Sequence, residues 1–205
     1  MPQRWFRRAL TVLSALATLA MGSLMAGCAH RPPDITTVAA WGGVTSPTSS
    51  AVPAQRIERI TLHHQGEIWN DGADIQAYLR RLQQWSRLTK GWRDVPYHYV
   101  IGPDGRIFAA RPVAEPGDTN TDYNPRGHAL VMLVGNFEVQ QPTPEQMAAA
   151  TELVAWLARE HQVPLTHIAS HGDYSAQTLC PGKNLRAWLD SGEFHRGVAA
   201  RLAAR

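Results

Sequence analysis

Tyr97-His98-Tyr99-Val100-Ile101-Gly102-Pro103-Asp104-Gly105-Arg106-Ile107-Phe108-Ala109-Ala110 is the stretch whose reading decides the fold class. Two runs rich in β-branched and aromatic residues flank Pro103-Asp104-Gly105. In that tripeptide Pro presets φ, Asp bonds to nearby backbone and Gly accepts positive φ, so it predicts a turn. The product is a β-hairpin, which puts at least one antiparallel pair into the sheet. Working outward, Ile57 to His64 and the Ala-Leu-Val-Met-Leu-Val run between His128 and Phe137 read as buried strands, the second of them central by composition. A short strand is expected from Thr166 to Ser170.

Helices separate these strands. Asp74 to Thr89 sets Ile75, Tyr78, Leu79, Leu82 and Trp85 at helical spacing, opposite Arg80, Arg81, Gln83 and Gln84. Thr143-Pro144-Glu145-Gln146 has capping-box spacing with Pro at the first helical position, and opens a helix through Met147, Ala150, Leu153, Val154 and Leu157. Leu185 to Leu189 and Glu193 to Leu202 predict two short terminal helices, while residues 112 to 127 read as a long surface loop of the kind that lines binding sites. The expectation is an α/β (α+β) fold: a single domain with a central mixed β-sheet flanked by helices.

The N-terminal part has a different character. Arg4, Arg7 and Arg8 precede an apolar run from Ala9 to Met21, the pattern of an export signal and too short for a membrane span. Leu24-Met25-Ala26-Gly27-Cys28 resembles the lipobox of bacterial lipoproteins, with Met25 where Leu is usual; the resemblance implies lipid on Cys28. Residues 29 to 53, rich in Pro, Ser, Thr and Gly, read as a flexible tether. The expected division is 1–27 signal peptide, 28–53 lipidated Cys and tether, and 54–205 domain. Ala29 after the lipid-bearing position implies, by resemblance to enterobacterial sorting, the periplasmic face of an outer membrane.

Charge follows the same division. The whole chain has 20 Lys and Arg against 17 Asp and Glu; losing residues 1 to 27 removes three Arg and no acid, leaving 17 against 17. The basic balance belongs to the export signal, so nucleic acid is not an expected partner. The two cysteines are Cys28 and Cys180, so with Cys28 lipidated no disulfide is available and the remaining thiol calls for another role.

Groups of zinc-ligand type stand at segment ends: His63 or His64 after the first strand, His171 after the last, and Cys180 in the following loop. Imidazole and thiolate are favoured zinc ligands, and a catalytic site uses three protein ligands. Strand alternation sends His63 and His64 to opposite faces without choosing between them.

Four blocks occur in order: Ile60-Thr61-Leu62-His63-His64; Trp92 to Gly105; Leu133-Val134-Gly135-Asn136-Phe137; and His171-Gly172-Asp173 with Thr178-Leu179-Cys180-Pro181-Gly182. Together they resemble the type 2 N-acetylmuramoyl-L-alanine amidases, which include phage T7-type lysozymes and the peptidoglycan recognition proteins. The resemblance runs from about Arg56 to Leu189. It implies one Zn²⁺ ion held by His63, His171 and Cys180, with Tyr97 and Thr178 as catalytic residues and His64 and Asn136 toward substrate. The implied activity is hydrolysis of the amide between N-acetylmuramic acid and L-alanine in peptidoglycan or its muropeptide fragments. The alternative is a non-catalytic peptidoglycan-binding lipoprotein; members that only bind typically lack the cysteine, which is present here as Cys180. Gln65, Gly172, Ala129 and Leu130 depart from frequent family residues. Met132 stands where another amidase branch carries a catalytic Glu, and so favours the branch that uses Tyr. No obligate protein partner is evident.

Overall fold

In the computed structural model the described residues are 31–45 and 53–204. The export segment 1–27 and Cys28 lie outside them. The hairpin forms as its turn chemistry dictates: β3 (Tyr99–Ile101) and β4 (Ile107–Ala109) pair antiparallel, and Gly105 donates its N–H to the Gly102 carbonyl. Every other pairing is parallel. β5 (His128–Leu133) lies between β3 and β2 (Arg59–His64), and β6 (Ile168–Ser170) closes that side beyond β2.

The opposite edge corrects the sequence reading. Residues 29 to 53 were expected as a tether, yet Ile35–Thr36 forms β1, parallel to β4, and completes the sheet order β1-β4-β3-β5-β2-β6. The chain then turns so that Trp41 is fully buried, its Nε1 donating to the Ala109 carbonyl at 2.7 Å. Val44 exchanges backbone hydrogen bonds with the side chain of Gln83. A strand of two residues has no period to read, and a lone Trp in a Pro- and Ser-rich stretch carries no pattern, so composition misassigned a segment that packs as part of the domain.

The two faces of the sheet bury separate cores. Leu62, Ile101, Val131 and Leu133 face α2 (Pro144–Glu160), α3 (Lys183–Asp190) and α4 (Glu193–Ala203). Val100, Phe108 and Met132 face α1 (Ile75–Leu88) and Trp41. Alternate residues of each strand thus go to opposite cores, as a two-residue side-chain period requires. Asp74 caps α1 by accepting from the N–H groups of Gln76 and Ala77, and the capping box of Thr143 and Gln146 opens α2. The mixed sheet flanked by helices is the fold that the sequence implied. Among the described residues no helix is long and apolar enough to cross a membrane.

Candidate metal centre and cleft

The parallel strands β2 and β6 end side by side, and their carboxyl ends deliver the site. His63 is on the last turn of the pleat of β2; β6 runs straight into a one-turn 3-10 helix, His171–Asp173, which begins with His171. Ser170 and Asp173 brace that turn, the Asp173 carboxylate accepting from both N–H and Oγ of Ser170 and from Arg186. Cys180 follows on a loop that returns to the sheet, and the N–H of His64 donates to its Sγ at 3.4 Å. The ligand atoms of His63, His171 and Cys180 all lie within 4.8 Å of one another, and all three residues are buried.

The set fits zinc on chemistry and on spacing. His63 Nδ1 is 3.6 Å from Cys180 Sγ; zinc bonds of about 2.0–2.1 Å to nitrogen and about 2.3 Å to sulfur put two tetrahedral ligands about 3.6 Å apart. Burial, and then the charge that His171 would carry, hold His63 well below the ordinary histidine value; burial brings His171 down to about 4. Both imidazoles are therefore neutral and available as donors at pH 7. Burial pushes the Cys180 thiol up to about 12, so without a cation it keeps its proton.

Two residues of the 112–127 loop flank the histidines. Thr121 Oγ1 lies 2.8 Å from His171 Nε2, and Tyr123 OH lies 3.5 Å from His63 Nε2. Partners of this kind fix ring orientation around a metal. The loop's composition points to a binding surface, but neither residue is legible in it, because nothing in Thr119-Asn120-Thr121-Asp122-Tyr123-Asn124 has a ligand spacing.

The other expected residues divide. Tyr97 stands just before β3, its ring 5.1 Å from that of His63, and it lines the cleft over the cluster. Burial raises its hydroxyl well above the usual tyrosine value, so it is a proton-bearing group at neutral pH. Thr178 also lines the cleft; its Oγ1 accepts from the Cys180 N–H at 3.0 Å, which leaves its own hydrogen free to donate. The ring of His64 turns toward Phe137, whose N–H it accepts at Nδ1, 3.3 Å away. Gly182 presses on the same ring: a Cβ there would come within 2.9 Å of that nitrogen and 2.5 Å of the Phe137 backbone. Asn136 is not brought to the cleft wall; its side-chain oxygen accepts from the Glu138 N–H and shapes the turn after β5.

The cleft above the cluster encloses about 340 Å³ and continues into a second hollow of about 390 Å³. They share Gln65, Trp92, Pro96, Tyr97 and Asn120, and the second adds Tyr78, Leu82 and Trp85 together with Glu67 and Arg81. The trough therefore has a metal-ligating end and an aromatic end that bears one charge of each sign.

Residues 53–183 match the profile of the family described as N-acetylmuramoyl-L-alanine amidase (Amidase_2). The chain belongs to this family. Among curated relatives, the endolysin of Enterobacteria phage K11 is 32% identical over 126 residues, 59% of this chain and 80% of its own length. Peptidoglycan-recognition protein SC2 of Drosophila simulans is 28% identical over 153 residues, 72% of this chain and 82% of its own. Among solved structures, Drosophila peptidoglycan recognition protein SD superposes with a TM-score of 0.66 at 25% identity, covering 77% of this chain and 93% of that one. The amidase-type family and its sheet-and-helix fold are thus reached independently of the cluster geometry.

Proposed function

We propose that this member of the amidase family is a zinc-dependent N-acetylmuramoyl-L-alanine amidase acting on peptidoglycan or its fragments. The observation that carries the reading is the buried cluster of His63, His171 and Cys180 at the floor of an open trough, with a Tyr hydroxyl and a Thr hydroxyl on its walls. Bound there, zinc would act as a Lewis acid on a substrate carbonyl and would acidify water, both of which amide hydrolysis at neutral pH needs. His63, His171 and Cys180 hold the ion, while Thr121 and Tyr123 orient the two imidazoles. Tyr97, protonated because it is buried, donates a hydrogen bond toward the oxygen that gains charge when the carbonyl is attacked. Thr178, which also lines the cleft, donates a second hydrogen bond. The aromatic end of the trough, with Arg81 and Glu67, suits a peptide stem bearing both charges.

Kinship to peptidoglycan recognition proteins supports a second reading, a module that holds peptidoglycan without cutting it. Incubating protein that lacks residues 1 to 28 with cell-wall sacculi separates the two. Release of peptides with free N-terminal alanine supports the amidase; retention on sacculi with no release supports the binder and overturns the proposal.

Export and anchoring belong to the same proposal: lipid on Cys28 holds the domain on a membrane, at the periplasmic face of the outer membrane in a Gram-negative host. Support comes from the basic start, the apolar run and the Leu24 to Cys28 segment. Cys28→Ser is expected to leave an unanchored or uncleaved chain that keeps its catalytic capacity; equal membrane partition of mutant and native chains counts against lipidation.

A further inference from the structure

We propose that Arg111 is a positioning residue of this site: its buried guanidinium clamps together the two backbone segments that carry Tyr97 and Thr121, and thereby sets where Tyr97 stands relative to His63. The inference rests on the amidase reading above.

Arg111 follows β4 and is only 4% exposed. Its Nε donates to the Val95 carbonyl at 2.9 Å, and one terminal nitrogen donates to the Asp94 carbonyl at 2.9 Å. Its backbone N–H donates to the carbonyl of Tyr97 itself, at 3.1 Å. Three successive contacts therefore hold the segment that leads into Tyr97. On the other side the second terminal nitrogen donates to the Pro116 carbonyl at 2.5 Å, and the first also bonds the Asp118 carboxylate. Residues 116–118 lead directly to Thr121, which bonds His171, and Asp118 lines the cleft.

The two segments touch only because Gly117 has no side chain. A Cβ there would come within 2.5 Å of the Pro96 carbonyl oxygen and 2.4 Å of Leu130. The Asp118 N–H reaches the same Pro96 oxygen at 3.3 Å. Across this seam the guanidinium serves as a rigid planar fork, a geometry that one ammonium cannot reproduce. A buried ion pair is weak evidence for stability alone, since apolar packing of similar volume commonly does as well. What Arg111 supplies that apolar packing does not is fixed distances between two strips of irregular backbone, neither of which has a ladder of its own.

The test is a cycle of Arg111→Lys, Tyr97→Phe and the double variant, with zinc content, turnover on sacculi, KM and amide hydrogen exchange measured for each. The expected result is that Arg111→Lys retains zinc, lowers turnover by about 10-fold or more with KM little changed, and raises exchange only around residues 94–98 and 116–121. In the Tyr97→Phe background the same substitution costs less than about 3-fold more, because the hydroxyl it positions is already gone. Losses that multiply fully in the double variant, or exchange that rises through the whole domain, overturn the proposal. If Arg111→Lys fails to fold, Asp118→Asn, which removes the carboxylate and keeps the carbonyl contacts, is expected to give the same pattern in weaker form; full additivity with Tyr97→Phe again overturns it. Native protein that releases no peptide sinks the amidase reading instead, and the clamp is then judged by the localised exchange alone.

Discussion

His63 and His64 are adjacent on β2 and both line the cleft, yet their rings make different contacts: His63 packs 4.7 Å from His171, and His64 accepts the Phe137 N–H at Nδ1. Their substitutions should therefore diverge. His63→Ala is expected to lose zinc while retaining most of the fold, as is Cys180→Ala, which removes the thiolate. His64→Ala should retain zinc but leave the Phe137 N–H without its acceptor, a destabilisation of about 1–3 kcal/mol. Metal analysis beside thermal denaturation reads both; full zinc in the Cys180 variant would remove the assignment.

Zinc loading should also release protons in a predictable number. Both cluster histidines are depressed, His171 to about 4, and are already neutral at pH 7, whereas Cys180 is raised to about 12 and must give up its proton to become a ligand. Titration calorimetry in buffers of different ionisation enthalpy should report about one proton released per ion through the protein's own ligands. Release of clearly more than two at pH 7, the second being what ionisation of a zinc-bound water can add, would mean that the histidines start protonated, contrary to their burial.

The N-terminal segment is predicted to behave as part of the domain. Trp41 is fully buried and bonded to Ala109, so Trp41→Ala should cost about 3–5 kcal/mol. A chain starting after residue 45 should be less stable than one starting at residue 31. Equal melting temperatures for the two would show that β1 and Trp41 contribute nothing to stability.

That segment marks where sequence legibility ended. The hairpin, both amphipathic helices and the Thr143 capping box are readable because turn chemistry and periodicity leave local patterns, and the structure keeps Thr143 as a cap, while the Asp74 cap emerges only in the structure. The histidines are readable because they stand at the ends of predicted strands, and Cys180 because it is the one thiol left in the domain. The choice of His63 over His64 came from family resemblance, since alternation separates the two without saying which face holds the metal. Thr121, Tyr123 and Arg111 were not legible: they act from irregular backbone, where a contact depends on the path of the chain and no period records it. Asn136 illustrates the converse, a residue inside a recognisable block whose side chain serves a turn.

Acid should destabilise the protein through His98, whose ring bonds to Glu115 of the 112–127 loop. Its Nδ1 accepts from the Leu130 N–H and its Nε2 donates to the Glu115 carbonyl, so the ring is held neutral, and burial brings it to about 4. The folded value is below the unfolded value of about 6.5. Stability is therefore complete above pH 6.5 and is lost as pH falls toward 4, because the unfolded chain takes up the proton first; the contribution approaches about 3 kcal/mol. His98→Gln, which can accept and donate in the same places, should lessen the pH dependence of denaturant unfolding between those limits, the other histidines depressed by burial keeping their share. An unchanged slope would assign the acid response to other groups.

Tyr97 separates catalysis from binding. Its ring lies 5.1 Å from that of His63 without being among the three clustered ligands, and its hydroxyl keeps its proton because the group is buried. Tyr97→Phe deletes that hydroxyl and keeps the ring, so packing against His63 and zinc content should both persist. A hydrogen bond that strengthens as charge develops on the reacting oxygen matters in the transition state more than in the bound substrate. Turnover is accordingly expected to fall by on the order of 10²-fold while affinity for muropeptide changes little. Loss of affinity with unchanged turnover would instead make the hydroxyl a substrate contact. Native behaviour in both would reduce Tyr97 to a wall of the cleft and pass the donor role to Thr178, whose hydroxyl hydrogen the bond from Cys180 leaves free.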